Sequence, residues 1–306
     1  MESSTTLVVT IIGFGNVGRN IAHILINTPD CQFTINIMDP SPNVRGSILD
    51  LGQATFLPQK HSIIENSREF FNTSDFVFYS AGFGVPPGGS RSDLSQRNCD
   101  LVDEIFKDYK PAVDAKIIAI TNPVDNVAHR IYQASGLEAS KVIGTGTLLD
   151  AIRMNYFLSK IKPGLTNLQS VLLGEHGPSI VVANSLSKVD GLCLNDCFSK
   201  SEIELALQQT IIAASVIKET QGASIYAIAD CSVYIMRQII FDTYAILPLG
   251  GLIPEFLHDK LDCTNIYLSL PSVLNKDGMK VIEDFELKDE EWNKLKISAK
   301  EILKYQ

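Results

Sequence analysis

The sequence predicts an α/β fold in which a doubly wound parallel sheet is followed by an α+β domain with antiparallel strands. In the first half, apolar β-branched segments alternate with amphipathic helical segments, as in successive βαβ units. A glycine-rich turn joins the first strand segment to the first helix. In the second half, helical patterns at 201–217 and 224–240 precede strand segments at 245–249, 266–270 and 279–285, and a helical pattern at 290–303 closes the chain.

The glycine-rich turn follows an apolar strand segment at 7–12 (LVVTII) and has the sequence GFGNVG over residues 13–18. In this strand–turn–helix setting, the first glycine permits a tight turn. The second lets a pyrophosphate approach the backbone, and the third lets the helix pack on the strand. The pyrophosphate would then lie at the helix N-terminus. The residues expected there are Gly13, Gly15, Asn16, Val17 and Gly18.

The second strand segment, 33–38 (FTINIM), ends at Asp39, which follows Gly18 by 21 residues. A carboxylate at this place accepts both ribose hydroxyls of an adenosine and repels a 2′-phosphate. A solvated Asp-Pro turn is the alternative, but the strand, the glycines and the acid together favour NAD as the cofactor. We therefore predict a Rossmann-type NAD-binding domain over residues 1–144 and a substrate domain over 145–306.

Further strand segments lie at 62–65, 75–79 and 116–120. The last two lead into the turns at 80–82 (SAG) and 121–123 (TNP), where ligands of a doubly wound sheet bind. Between these turns lies a glycine- and proline-rich segment, FGVPPGGSR, that ends at Arg91. Its composition is typical of a lid that carries a cation into the site on closure. A surface loop with a solvated arginine is the alternative that the residues alone leave open.

A histidine stands at the end of the apolar segment 171–173, in the turn GEHG. Its imidazole can give and take a proton near neutral pH, although a surface-loop histidine without a role would look the same.

Asp150 and Arg153 are spaced i, i+3 and project from one face near the start of a helix. Such pairs are commonly weak surface ion pairs, but apolar neighbours at 148, 149 and 152 favour partial burial here.

Composition excludes several classes of protein. A net charge of −9 argues against nucleic acid or an anionic membrane as a partner. The chain has neither an apolar run of about 18 residues nor the basic start of a signal peptide, so we expect a cytoplasmic protein without a membrane span. The six cysteines form no complete metal-binding pattern, which predicts free thiols and no metal.

Taken together, GFGNVG, Asp39, SAG, GGSR, TNPVD, GTGTLLDAIR and LGEHGPS resemble the NAD-dependent lactate/malate dehydrogenase family in order and spacing, along essentially the whole chain. KVIGTGTLLD, GEHG, QGASIYAIA and IYLSLPSVLNKDG are most similar to bacterial L-lactate and L-2-hydroxyisocaproate dehydrogenases. The resemblance implies a homo-oligomer, either a dimer or a tetramer.

The resemblance also implies a catalytic set. His176 would exchange a proton with the substrate hydroxyl, and Asp150 would hold its imidazole. Arg153 would bind the substrate carboxylate as a bidentate fork, and Arg91 would polarise the substrate carbonyl. Other residues expected to contact the substrate are Asn122, Ser224 and Val85, and those expected to complete the cofactor site are Ala81, Gly82, Phe83, Thr121, Asn122 and Ile228.

Val85 bears on the choice of substrate. In the family, the residue six positions before the arginine that corresponds to Arg91 is usually glutamine in lactate enzymes and arginine in malate enzymes. This chain has valine there. Without an arginine, a second substrate carboxylate would lack a charge-assisted partner, which disfavours oxaloacetate. The prediction is an L-lactate-type enzyme for pyruvate and lactate. Larger apolar 2-oxo acids, a malate dehydrogenase and a non-catalytic NAD-binding protein are the alternatives.

Asn155 and Gln169 stand where allosteric bacterial lactate dehydrogenases hold fructose 1,6-bisphosphate with basic residues. The resemblance therefore predicts no activation by this ligand.

Overall fold

The computed structural model describes residues 6–57, 61–85 and 88–305. The strands in these residues are β1 (Thr6–Ile12), β2 (Gln32–Met38), β3 (Ser62–Glu65), β4 (Phe76–Tyr79), β5 (Lys116–Ala119), β6 (Val142–Gly144), β7 (Leu168–Gln169), β8 (Leu172–Leu173), β9 (Val181–Val182), β10 (Lys188–Val189), β11 (Leu192–Cys193), β12 (Ile246–Leu252), β13 (Tyr267–Asn275) and β14 (Gly278–Val281). The helices are α1 (Asn16–Ile26), α2 (Arg45–Ala54), α3 (Arg68–Asn72), α4 (Arg91–Asp108), α5 (Val124–Ser135), α6 (Leu148–Ile161), α7 (Leu194–Cys197), α8 (Lys200–Gln221), α9 (Tyr226–Ile240), α10 (His258–Leu261) and α11 (Asp289–Leu303).

The main sheet contains nine of these strands, in the order β14-β13-β12-β6-β5-β4-β1-β2-β3. From β3 to β6 the neighbours pair in parallel, and the order 3-2-1-4-5-6 is that of a doubly wound dinucleotide-binding sheet. Strands β12, β13 and β14 extend it with antiparallel pairing. The predicted fold class is confirmed. Because these three strands come from the second half of the chain, the sheet crosses the predicted division at residue 144, which stays a prediction.

Two apolar layers cover the sheet. Successive side chains of β4 point to opposite faces, so Phe76 and Phe78 join the layer formed with α1 and α9, whereas Val77 and Tyr79 join the layer formed with α4 and α5. Burial of each such side chain stabilises the fold by about 1.5–3 kcal/mol. This double-sided packing accounts for the continuous apolar runs of the parallel strands.

The turn that carries the histidine is fixed to the main sheet. Strands β8 and β9 form an antiparallel pair, and Gly174, directly after β8, exchanges both backbone hydrogen bonds with Ser269 of β13, at 2.9 and 3.1 Å. The small sheet of β11, β10 and β7 lies apart from this bridge. The histidine therefore follows an anchored backbone.

Several element boundaries differ from the predictions. The last strand ends at Val281 rather than residue 285, and the helix after Ser224 begins at Tyr226. Helix α4 begins at Arg91 itself, so this arginine lies on the helix and not in the preceding loop. Pro86 and Pro87 of the predicted lid lie outside the described residues. None of the helices in the described ranges has the length and apolar character needed to cross a bilayer.

Candidate active site

His176 and Asp150 meet at the carboxyl end of the parallel sheet. The Nδ1 atom of His176 lies 2.6 Å from Oδ2 of Asp150, which is buried in the first turn of α6. One helical turn further on, Arg153 donates from Nη1 to the other oxygen of Asp150 at 3.1 Å. The Asp150 carboxylate thus lies between the imidazole and the guanidinium, and the expected partial burial of the Asp150–Arg153 pair is confirmed.

These charges shift the titration of the pair. The negative charge of Asp150 raises the pKa of His176 above its ordinary value, against the opposing effect of burial. Burial alone would raise the pKa of Asp150, but the charges of His176 and Arg153 together lower it. The imidazole is 24% exposed. An imidazolium held by a buried carboxylate and reachable from solvent can donate a proton near neutral pH.

Arg153 is held in place at both terminal nitrogens. Its Nη2 donates to Oγ of Ser224, in the loop before α9, while Nη1 is bound to Asp150. Each terminal nitrogen carries a second hydrogen, so the oriented fork retains donors for an anionic ligand. Arg153 and Ser224, which the resemblance places at the substrate, are therefore brought together.

The turns after β4 and β5 are tied to each other and to α4. Thr121 donates its hydroxyl to the carbonyl oxygen of Ala81 at 2.8 Å. Asn98 of α4 accepts the backbone N–H of Phe83 at 2.8 Å and donates to the carbonyl oxygen of Asn122 at 2.7 Å. Asn98, which the sequence analysis missed, is a fully buried polar side chain that joins the predicted cofactor and substrate segments.

The glycine turn fits a dinucleotide. Gly13 has a φ of +88°, and a Cβ there would lie 2.4 Å from the backbone nitrogen of Ala81. A Cβ on Gly15, in contrast, would meet no described atom within 4 Å, so this side of the turn is open to a ligand. Gly15 is also the N-cap of α1, and no side chain in the described residues caps that end. Open N–H groups at a helix N-terminus suit a pyrophosphate.

The Asp39 carboxylate also binds the backbone of the glycine turn. Its Oδ2 accepts the backbone N–H of Phe14 at 2.7 Å, and its Oδ1 accepts that of Ser41 at 2.9 Å. The carboxylate is thus fixed beside the glycine turn, where its remaining lone pairs suit the ribose hydroxyls. These observations support residues 13–18 and Asp39 as an NAD site.

Replacing Asp39 with asparagine is expected to weaken NADH binding about tenfold, since hydrogen bonds to a charged group are worth roughly 1.5–3 kcal/mol. The amide oxygen can still accept the Phe14 N–H, so the turn should persist. Fluorescence titration with NADH and NADPH measures both affinities, and the preference for NADH over NADPH should shrink. Asp284→Asn, at an exposed residue in the second half of the chain, is the matched control. Unchanged discrimination would show that Asp39 does not contact the ribose.

Arg91 contacts the histidine turn through the Glu175 carboxylate and the backbone carbonyl of His176. Its Nη1 lies 2.7 Å from Oε1 of the buried Glu175, and its Nη2 donates to the carbonyl oxygen of His176 at 3.1 Å. The guanidinium carbon lies 5.4 Å from the ring centre of Tyr305. A Cβ on Gly177 would be 2.6 Å from Nη1 of Arg91, which accounts for the glycine after the histidine. Neither Glu175 nor Tyr305 belongs to a local sequence pattern with Arg91, so these contacts could not be predicted from the sequence.

Three other predicted positions are Val85, Phe83 and Ile228. Val85 is 41% exposed, next to residues outside the description. The guanidinium carbon of Arg97 lies over the ring of Phe83, 4.2 Å from the ring centre. Ile228 is buried in the first turn of α9, in the same apolar layer as α1. Their predicted contacts with cofactor and substrate stay predictions.

In residues 6–57, 61–85 and 88–305, no group of three or more His, Cys, Asp or Glu side chains is arranged to hold a metal.

The comparisons with known proteins point to one family. Family models match residues 7–144, described as lactate/malate dehydrogenase, NAD binding domain, and residues 147–305, described as lactate/malate dehydrogenase, alpha/beta C-terminal domain. An L-lactate dehydrogenase of Borrelia turicatae is 30% identical over an alignment of 310 positions, which covers 97% of this chain and 96% of the relative.

Two solved structures share the fold over nearly the whole chain. A minor L-lactate dehydrogenase from Enterococcus mundtii, in a ligand-bound form, has a TM-score of 0.87 and 26% identity, covering 99% of this chain and 97% of that one. A malate dehydrogenase from Archaeoglobus fulgidus, in complex with NADH, has a TM-score of 0.84 and 26% identity, covering 98% of each chain.

Fold and comparisons together define an NAD-dependent oxidoreductase. The chain belongs to the lactate/malate dehydrogenase family, whose members act on small hydroxy and oxo acids.

Proposed function

We propose that the protein is an L-2-hydroxyacid dehydrogenase that interconverts a 2-hydroxy and a 2-oxo monocarboxylic acid, with lactate and pyruvate as the preferred pair. The observation that carries this proposal is the Asp150 carboxylate held between His176 and Arg153, at 2.6 and 3.1 Å. It joins a proton donor to an anion-binding fork, the two groups that a 2-oxo acid requires at neighbouring atoms.

Each residue has a defined part in this proposal. NADH supplies the hydride when it is bound in the glycine turn. Arg153 binds the substrate carboxylate, and His176 gives a proton to the substrate oxygen from the ring nitrogen that faces away from Asp150. Asp150 holds the imidazole in orientation and stabilises its protonated form. Arg91 stabilises the negative charge that develops on the same oxygen.

Val85 supports a monocarboxylic substrate. An apolar side chain offers no hydrogen-bond donor for a second carboxylate, whereas a methyl group or a longer apolar chain can contact it. The relatives include both L-lactate and malate dehydrogenases, so this residue is the main ground for the choice of substrate. L-2-hydroxyisocaproate-type activity on larger apolar 2-oxo acids is the alternative within the same mechanism.

A substrate panel tests the proposal. NADH oxidation is followed with pyruvate, 2-oxoisocaproate, phenylpyruvate and oxaloacetate, and kcat/KM should be highest for pyruvate and at least about tenfold lower for oxaloacetate. In Val85→Arg the ratio of kcat/KM for pyruvate to kcat/KM for oxaloacetate should fall, while Val113→Arg, at an exposed valine before β5, should leave this ratio unchanged. A clear preference of the unmodified protein for oxaloacetate would contradict the assigned role of Val85.

The oligomeric state and the location in the cell belong to the same proposal. We propose a homo-oligomer, supported by exposed apolar side chains on α8, among them Ile211, Ile212 and Val216. We also propose a cytoplasmic location, supported by the six free cysteines.

A further inference from the structure

A second carboxylate, Asp125, lies behind the histidine. It belongs to the first turn of α5 and is only 2% exposed. Its Oδ2 accepts the backbone N–H of His176 at 3.0 Å. Its Oδ1 is buried and has no hydrogen-bond partner in the described part of the chain. No local sequence pattern marks this residue as functional.

We propose that Asp125 is a second positioning residue for His176: it fixes the backbone of the histidine and, as a buried anion, favours the protonated imidazole. The inference rests on the proposed function, because a protonated His176 is what reduction of a 2-oxo acid requires.

Geometry supports the positioning part. Asp150 holds the imidazole from the start of α6, and Asp125 holds the backbone nitrogen from the start of α5. These two helices follow the neighbouring parallel strands β6 and β5. Together with the bridge between Gly174 and Ser269, the two carboxylates hold the histidine turn from three directions.

Chemistry supports the electrostatic part. A backbone N–H needs only an acceptor, and the amide oxygen of an asparagine would supply one. A buried carboxylate with one unpartnered oxygen costs more free energy than a neutral amide or hydroxyl at the same place. An anion at this position is therefore explained by its charge, which acts on the adjacent imidazole.

The neighbouring charges fix the direction of the effect. The groups that act on Asp125 are His176, Glu175 and Arg91, and burial raises the pKa of Asp125 to about 6. Near neutral pH the carboxylate is therefore ionised. The charges of Asp150 and Asp125 both raise the pKa of His176, while that of Arg153 lowers it. Loss of the Asp125 charge should thus lower the pKa of His176.

The decisive variant is Asp125→Asn, which keeps an acceptor for the His176 N–H and removes the charge. At saturating NADH, kcat/KM for pyruvate falls with rising pH as His176 loses its proton, and the midpoint should move down by about one pH unit in the variant. Asp108→Asn, at an exposed acid on α4, makes the same change in net charge and should leave the midpoint in place. Asp125→Ala also removes the acceptor and should lower kcat at every pH.

A measurement without turnover separates this inference from the proposed function. The imidazole signals of His176 are followed by NMR against pH in the NADH complex and are assigned by their loss in His176→Asn. The wild-type signal should show an additional inflection near pH 6, where Asp125 titrates, and Asp125→Asn should lack it. If neither the inflection nor the kinetic shift occurs, the electrostatic role of Asp125 is wrong. If the inflection occurs but no 2-oxo acid is reduced, the proposed function fails instead.

Discussion

Replacing His176 with asparagine is expected to lower kcat for pyruvate reduction by about 10²- to 10⁴-fold, the usual contribution of a positioned acid or base. Asparagine can accept a hydrogen bond or donate one, but it cannot become a cation that gives up a proton near neutral pH. The dinucleotide turn lies on β1 and α1, so NADH should bind with nearly unchanged affinity. Steady-state NADH oxidation and fluorescence titration give the two quantities.

The controls for this variant separate three outcomes. His23→Asn, at an exposed histidine on α1, makes the same chemical change and should leave kcat unchanged. Unchanged kcat in His176→Asn would show that the histidine is not the proton donor. Loss of NADH binding in the same variant would give His176 a role in the cofactor site. Tight NADH binding by a wild-type protein that reduces no 2-oxo acid would favour the non-catalytic NAD-binding alternative.

Local patterns were sufficient for the parallel sheet and the glycine turn. Residues 7–18 and Asp39 can be recognised from the residues next to them in the sequence, because strand, turn and helix follow one another without interruption. In the helical pattern at 290–303, Trp292, Leu295, Ala299 and Ile302 recur on one side of a helix. In α11 the last three are buried and Trp292 is partly buried. In each case the pattern and the contacts have the same short range.

Contacts between distant segments could not be predicted in this way. Asp125 and His176 are 51 positions apart, and Arg91 and His176 are 85 apart. No spacing rule links such residues. The hydrogen-bond partner of a buried polar side chain is known only from the folded structure.

The wrong strand boundary has a similar cause. The segment after β14 contains the apolar residues Ile282 and Phe285, but the Phe285 ring packs against Trp292 of α11, with 5.4 Å between ring centres. Tertiary packing therefore explains an apolar position that alternation alone assigns to a strand. In the same way, Ser224 lies before α9 rather than within it and accepts a hydrogen bond from Arg153.

Replacing Arg91 with glutamine is expected to lower kcat by about 10²- to 10³-fold, the effect of removing one donor from a developing oxyanion. Both terminal nitrogens of Arg91 are engaged, one by Glu175 and one by the carbonyl oxygen of His176. A substrate oxygen must therefore use the second hydrogens of these nitrogens or displace one of the partners. In either case the guanidinium serves the substrate beside His176 and not the dinucleotide turn, so the Kd for NADH should change by less than about twofold.

Two further variants make the result for Arg91 specific. Arg91→Lys keeps the charge but loses the planar fork that reaches Glu175 and the His176 carbonyl together, so its kcat should fall between those of wild type and Arg91→Gln. Arg68→Gln removes a cation stacked on another ring, that of Tyr109, and should have no effect on kcat. Because only the substrate step is expected to need Arg91, a loss of NADH affinity with unchanged kcat would place this arginine at the cofactor. Equal activity of the Lys and wild-type proteins would show that charge alone, without the fork, stabilises the oxyanion.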